Sequence, residues 1–263
     1  MSGVWFKAHG LGNDYLVAHA DGGPLSPDAV RAVCHRHTGC GGDGVLEPIP
    51  GPPGTYGVVI WNPDGSIAEK SGNGLRIFAW WLRRFRGAPA AFDVAVRAAD
   101  GAFATVACEV GDQVTVEMGS GRLVFRRRYL LDGAEREAWA VSVGNPHCVL
   151  FLDDPDAVPW RDWGARLERH PDFPQRTNVQ FARVDGPGAL SLRIWERGAG
   201  ETAASGSSAC AVAWAAVHSG RVAPGALQVR MPGGTLHVTV RPDGTLRMTG
   251  PVAPVGFFLP TGA

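Results

Sequence analysis

The chain has no charge excess: 25 basic and 25 acidic side chains cancel over 263 residues. That removes the net field to which nucleic acid or an anionic membrane would respond, and neither is expected as a partner. The one basic run, Arg126-Arg127-Arg128, reads as a solvated strand end. No apolar stretch reaches the length of a membrane span. The opening MSGVWFKAHGLGND holds no charged segment followed by an apolar one, so no secretory leader is expected and the chain should be cytoplasmic. There is no CxxC pair either. Cys34, Cys40, Cys108, Cys148 and Cys210 form an odd set, which excludes a disulfide framework or a zinc knuckle and points to reduced, mostly buried thiols. No GxSxG surrounds any serine and no Asp–His relay is legible, which places a serine hydrolase last among the readings. GCGGDG (39–44) has the spacing GxGxxG, but a helix precedes it and the Pro-broken VLEPIPGPP follows, so it is not a dinucleotide fingerprint.

What is present is apolar substance and glycine. With 45% hydrophobic and 19% charged residues, 263 residues suffice for one large domain or two of ordinary size. The most organised stretch runs from Leu192 to Ala216, LRIWERGAGETAASGSSACAVAWAA. Leu192 and Ile194 alternate as in a strand, and glycines 198, 200 and 206 permit a sharp turn. Ser205 stands at the mouth of an Ala-rich helix that ends before Gly220, where its hydroxyl can accept a first-turn N–H. The N–H groups of Gly206, Ser207 and Ser208 then lie at the positive end of the helix dipole, which suits a carboxylate or phosphate. Cys210 is expected to face the core.

The pattern occurs twice. SGNGLRIFAWWL (71–82) and SGSSACAVAWAA (205–216) share Ser-Gly and Ala-Trp at a constant offset of 134, and Gly12-Asn13 recurs as Gly144-Asn145 at 132. Two matches at nearly one offset predict a duplication, with each half aiming a helix N-terminus at a shared cleft.

In chain order, strands are predicted at Val4–Ala8 and Tyr15–Ala18, then a helix from Ser26-Pro27-Asp28 to about His37. Tyr56–Trp61 reads as a strand closed by the turn NPDG. The helix after Ser71 has Leu75, Phe78, Trp81, Leu82 and Phe85 on one face, an ordinary core stripe. From Phe92 to Glu117 short strands are broken by Asp100-Gly101 and Gly111-Asp112, which are hairpin signals. The following segment to Glu137 is poorly patterned apart from its arginines and the Asp132-Gly133 turn. The second half predicts strands around GNPHC (144–148), a helix over Trp160–Arg169 and a strand at Val179–Val184. Hairpin strands at Leu227–Met231, Thr235–Arg241 and Thr245–Thr249 follow its central helix. Many short strands with one long helix per half predict an α+β fold.

Five of these segments, GLGNDY (10–15), NPDGSIAEKSGNG (62–74), GNPHC (144–148), RTNVQF (176–181) and ERGAGETAASGSSAC (196–210), together resemble diaminopimelate epimerase in order and spacing. The resemblance covers nearly the whole chain. It implies two pseudo-symmetric domains, each a barrel-like, mostly antiparallel sheet around a central helix, with substrate in the cleft between them. The halves would be 1–120 and 121–250, with the strand in 251–263 returning to the first. It implies an enzyme of lysine biosynthesis that uses no cofactor, neither metal nor pyridoxal phosphate, and forms a homodimer. Its substrate would be a small amino acid, LL-diaminopimelate going to meso-diaminopimelate or a close analogue.

Residue by residue, the resemblance sets the family's two catalytic cysteines, one at each helix mouth, at Ser71 and Ser205. It implies that the backbone at Gly72-Asn73 and Gly206-Ser207 cradles the reacting carboxylate. Asn13, Asn62, Asn145, Asn178, Glu196 and Arg197 match residues that hold the rest of the substrate, with Arg197 suited to a second carboxylate and Glu196 to an ammonium. His147 falls where the family keeps a polarising histidine. Inversion at Cα needs a proton removed on one face and delivered on the other, with fixed donors holding the developing charge. A thiol begins near pKa 8.5, whereas an alcohol ionises nearer water at ~15.7. The deficit is on the order of 10 kcal/mol for a hydroxyl acting as base, beyond what a helix dipole of roughly 0.3–2 kcal/mol can close. Four readings therefore follow: an epimerase with Glu196 or His147 assisting or with weakened chemistry, a related isomerase, dehydratase or cyclase, a binder of a zwitterionic ligand, and the serine hydrolase.

Overall fold

The computed structural model describes residues 3–19 and 23–259. Two compact units account for the chain: one runs to Glu117 and resumes at Gly250, the other is Met118–Thr249. The first unit is built from β1 (Trp5–Gly10), β2 (Asn13–Val17), α1 (Pro27–Cys34), β3 (Val45–Pro50), β4 (Thr55–Trp61), α2 (Gly72–Phe85), β5 (Ala91–Arg97), β6 (Phe103–Val110) and β7 (Val114–Ser120). The second contains β8 (Arg122–Leu131), β9 (Ala134–Ser142), β10 (Pro146–Phe151), α3 (Trp160–Glu168), β11 (Asn178–Gly186), β12 (Ala189–Glu196) and the short β13 (Gly200–Glu201). It continues with α4 (Gly206–His218), β14 (Gly225–Met231), β15 (Gly234–Val240) and β16 (Thr245–Gly250), after which β17 (Ala253–Phe258) belongs to the first unit.

The strand pairings within the two units follow one topology. In the first unit β17–β1 and β1–β2 are antiparallel, β2–β3 parallel, β3–β4 antiparallel, β4–β5 parallel, and β5–β6 and β6–β7 antiparallel. In the second, β8, β9, β10, β11, β12, β14, β15 and β16 repeat that succession of directions pair for pair. Even the registers match: Leu16 lies opposite Val45 and Cys148 opposite Val179, at the offsets of 132 and 134 seen in the sequence. The repeat explains β17, which takes in the first sheet the place that β8 takes in the second. This is the repeated, two-domain α+β architecture.

Each sheet curls around its own helix. α2 packs on the neighbours β1 and β2 and on the distant β6, and α4 packs on β9, β10, β11, β14 and β15. A helix enclosed in this way must be apolar nearly all round. Ala209 to Ala216 are accordingly all buried in α4, whereas the buried run Leu75–Ala79 of α2 includes the charged Arg76. α1 and α3 cover the opposite sheet faces, with Val30, Val33 and Cys34 against Trp5, Leu16 and Trp61, and Trp160, Trp163 and Leu167 against Cys148 and Phe181.

Four local readings are corrected. α1 ends at Cys34 rather than near His37, because His35 turns extended (φ −63, ψ 124) and its Nδ1 accepts the Thr38 N–H at 3.1 Å. VLEPIP, read only as a Pro-broken segment, is strand β3. Its pairing with β2 ends at Leu46, so Pro48 and Pro50 fall where that side of the strand has no partner to lose. The poorly patterned stretch before Glu137 is the long hairpin β8–β9, turning at Asp132-Gly133. Arg126, Arg127 and Arg128 lie within β8 rather than at its end, Arg126 over the Trp139 ring and the other two paired with Asp172 and Glu135.

Candidate active site

In the first unit Ser71 has the extended backbone of an N-cap, and its Oγ accepts the Gly74 N–H at 3.0 Å. A side chain at Gly74 would crowd this hydroxyl at 3.2 Å and Leu46 at 3.0 Å, and both would have to give by a few tenths of an ångström. The N–H groups of Gly72 and Asn73 have no intrahelical acceptor, and no acid stands in the first turn. The positive helix end is therefore uncompensated. Asn73, buried, donates to Asn13 Oδ1 at 3.1 Å, and Asn13 donates to Asp43 Oδ2 at 2.8 Å. Behind Asp43 stand Asp14 and two cations: Arg36 reaches Asp14 at 2.8 Å and Asp43 at 2.6 Å, and Lys7 reaches Asp14 at 2.8 Å. Burial opposes the charge on Asp14, but the hydrogen bonds from Arg36 and Lys7 outweigh it and hold the carboxyl at about 2. Asp43 moves upward, through burial and the neighbouring Asp14 charge. Asn62 sits apart in the NPDGS turn, its Nδ2 on Ser66 Oγ at 3.0 Å.

In the second unit Ser205 also holds the extended N-cap position, but its hydroxyl makes no capping bond, contrary to expectation. The side chain is buried and only its carbonyl serves the helix, accepting Ala209 N–H at 3.0 Å. Again no acid lies in the first turn, and Gly206, Ser207 and Ser208 present their N–H groups. Ser207 Oγ accepts from Asn145 Nδ2 at 3.4 Å, Asn145 Oδ1 meets His147 Nε2 at 2.9 Å, and Gln180 Nε2 meets both His147 Nδ1 and Ser208 Oγ at 3.0 Å. With Gln180 donating to Nδ1, the imidazole is the Nε2–H tautomer and both its nitrogens are engaged. His147 is 1% exposed, and burial pushes it down to about 3. It is a neutral spacer that orients Asn145. Asn178 donates to the Pro146 carbonyl at 3.0 Å and accepts the Arg197 N–H at 3.0 Å. Glu196 Oε1 accepts from Thr202 Oγ1 at 2.9 Å. The Arg197 side chain is exposed, with one contact to the Gln175 carbonyl at 3.3 Å.

The model of the family described as diaminopimelate epimerase matches residues 5–124 and 139–255, both units almost entire. The chain belongs to the diaminopimelate epimerase family. It is 39% identical to a diaminopimelate epimerase of Desulfitobacterium hafniense, over 94% of each chain. It is 40% identical to one from Desulforudis audaxviator, over 95% of this chain and 96% of the other. Among solved structures, a hydroxyproline epimerase from Agrobacterium vitis has the same fold at TM-score 0.71, with 17% identity over 97% of this chain and 90% of that one.

Within the family's frame, Asn13 and Asn73 share one network, and Asn145, His147 and Ser207 share another. Asn178 touches the 196–200 turn through Arg197. Three participants carry no legible signal of their own. Asp43 lies inside the rejected GCGGDG motif, Gln180 inside RTNVQF, and Glu168, whose Oε1 accepts the Gly198 N–H at 2.7 Å, at the end of α3. Only the pairing of β10 with β11, which sets His147 opposite Asn178, brings Gln180 within reach of the imidazole.

Proposed function

We propose that the protein is a cofactor-independent amino-acid epimerase that inverts Cα of diaminopimelate or a close analogue, with Ser71 and Ser205 addressing opposite faces of that carbon. The observation that carries this reading is a family match over both units, at about 39% identity to a named diaminopimelate epimerase. Uncompensated N–H groups at the start of α2 and α4 suit the reacting carboxylate and the charge that develops on deprotonation. Arg197, exposed, suits the distal carboxylate. His147 does not supply the missing base, since a buried neutral ring with both nitrogens engaged has no free lone pair in this arrangement. Glu196 is then the alternative to the hydroxyls.

A second reading, a binder of the same zwitterion with little turnover, is favoured by the motif resemblance, which sets the family's two catalytic cysteines at Ser71 and Ser205. Proton NMR of LL-diaminopimelate with the protein in D2O separates the two. Loss of the Cα–H signal with appearance of the meso form supports the epimerase. Calorimetric binding without exchange supports the binder, and neither result removes both. We further infer a cytoplasmic homodimer in lysine biosynthesis. Exposed Phe85 and Phe257, whose rings pack at 5.3 Å, supply an apolar face suited to self-association, and sedimentation equilibrium reads the state directly.

A further inference from the structure

Glu168 is the last residue of α3 and is 3% exposed. A carboxylate is kept this deep only when donors replace its lost water. Here they come from two segments distant in sequence. Arg176 pairs with Oε1, and the Gly198 N–H donates to the same oxygen at 2.7 Å. Trp195 Nε1 lies 3.4 Å from Oε2, and Arg169 Nε lies 3.8 Å from it. The Glu168 carbonyl also accepts Thr177 N–H at 3.2 Å. Arg176 makes its pairing from a left-handed backbone (φ 61), a conformation a non-glycine residue holds only when its surroundings fix it. One carboxylate thus joins QRTN (175–178) to WERG (195–198). Between the joined points lies Arg197, tied at its own N–H to Asn178 and at its guanidinium to the Gln175 carbonyl.

We propose that Glu168 is a positioning residue for ligand specificity: clamped by Arg176, it holds Gly198 and so sets the Arg197 guanidinium where the ligand's distal carboxylate meets it. This rests on the reading of Arg197 given above. A guanidinium fork recognises a carboxylate only when its plane is aimed, so a displaced backbone at Gly198 weakens that contact while leaving the reacting head untouched.

The test is calorimetry with meso-diaminopimelate and with lysine, which lacks the distal carboxylate, on wild type, Glu168→Gln, Arg197→Ala and the double variant. Glu168→Gln should lower diaminopimelate affinity roughly tenfold or more while leaving lysine affinity unchanged. Added to Arg197→Ala it should have no further effect. Equal losses for both ligands, or additive losses in the double variant, overturn the proposal, because a merely structural role would act that way. Wild type that fails to prefer diaminopimelate overturns the reading of Arg197 itself. Amide exchange at Gly198 tells the two failures apart, since Glu168→Gln should speed it whatever the ligand. Glu168→Asp covers the case in which the glutamine variant does not fold: it keeps a charge for Arg176 but withdraws the oxygen from Gly198, and should show the same selective loss.

Discussion

Acid should destabilise this protein through one imidazole. His147 is buried, bonded on both nitrogens and pushed down to about 3 by burial. Its unfolded-state value is near 6.5. The folded pKa is depressed, so the stabilisation from keeping the ring neutral is complete above pH 6.5. It is lost progressively as pH falls from 6.5 toward 3, because only the unfolded chain takes up the proton there. Each unit is worth about 1.36 kcal/mol, so between pH 6.5 and pH 5 this group alone should remove about 2 kcal/mol. The measurement is urea unfolding at both pH values for wild type and His147→Gln, which keeps a donor and an acceptor but cannot titrate. The quantity read is the difference in slope with pH, not the starting stability, since the variant also loses shape. Wild type should lose about 2 kcal/mol more than the variant across this interval. Parallel slopes, or an imidazole NMR titration of His147 with a midpoint near 6.5, would refute the tautomer and the neutral-spacer role together.

Other consequences are simpler. Asp14, lowered to about 2 with Arg36 and Lys7 as partners, stabilises the first unit above about pH 4 and loses that contribution as pH falls through 2. Asp14→Asn should therefore cost about 2 kcal/mol at pH 7 by chemical denaturation, and less if relief of Asp43 offsets part of it. Ser71→Ala should cost about 1 kcal/mol by loss of the bond to Gly74 N–H, whereas Ser205→Ala, which loses no capping bond, should change thermal stability by clearly less. Calorimetry should find Arg197→Ala weakened for diaminopimelate and unchanged for lysine, and an unaltered diaminopimelate affinity would remove Arg197 from the ligand site.

The duplication was legible because it left identical residues at two helix starts, and the fold repeats there strand for strand. The hairpin β8–β9 was not, because alternation needs one wet and one dry face. Leu123, Val124 and Leu130 are exposed on β8 beside its three arginines, so apolar and polar residues do not separate by side. β3 was obscured by Pro48 and Pro50, tolerated only because of where β2 stops. The polar residues around each helix mouth were legible as motifs, but their wiring was not. Nothing local in the sequence pairs Asn13 with Asp43, His147 with Gln180 or Gly198 with Glu168, contacts spanning 30 to 33 residues. Ser205 fits the N-cap pattern as well as Ser71 does, yet only Ser71 uses its hydroxyl, because capping depends on a rotamer that the sequence does not encode locally.

If hydroxyls stand in place of thiols at both helix mouths, they set the rate of this epimerase scaffold. The direct measurement compares wild type with the Ser71→Cys/Ser205→Cys variant, following conversion of LL- to meso-diaminopimelate by loss of the Cα–H signal in D2O. Thiols lower the base's pKa by about 7 units relative to an alcohol, so the double variant should be faster by orders of magnitude. Either single variant should gain little inversion, because each face of Cα needs a competent group. A wild-type rate that the double variant fails to improve would contradict the claim and move the base to Glu196.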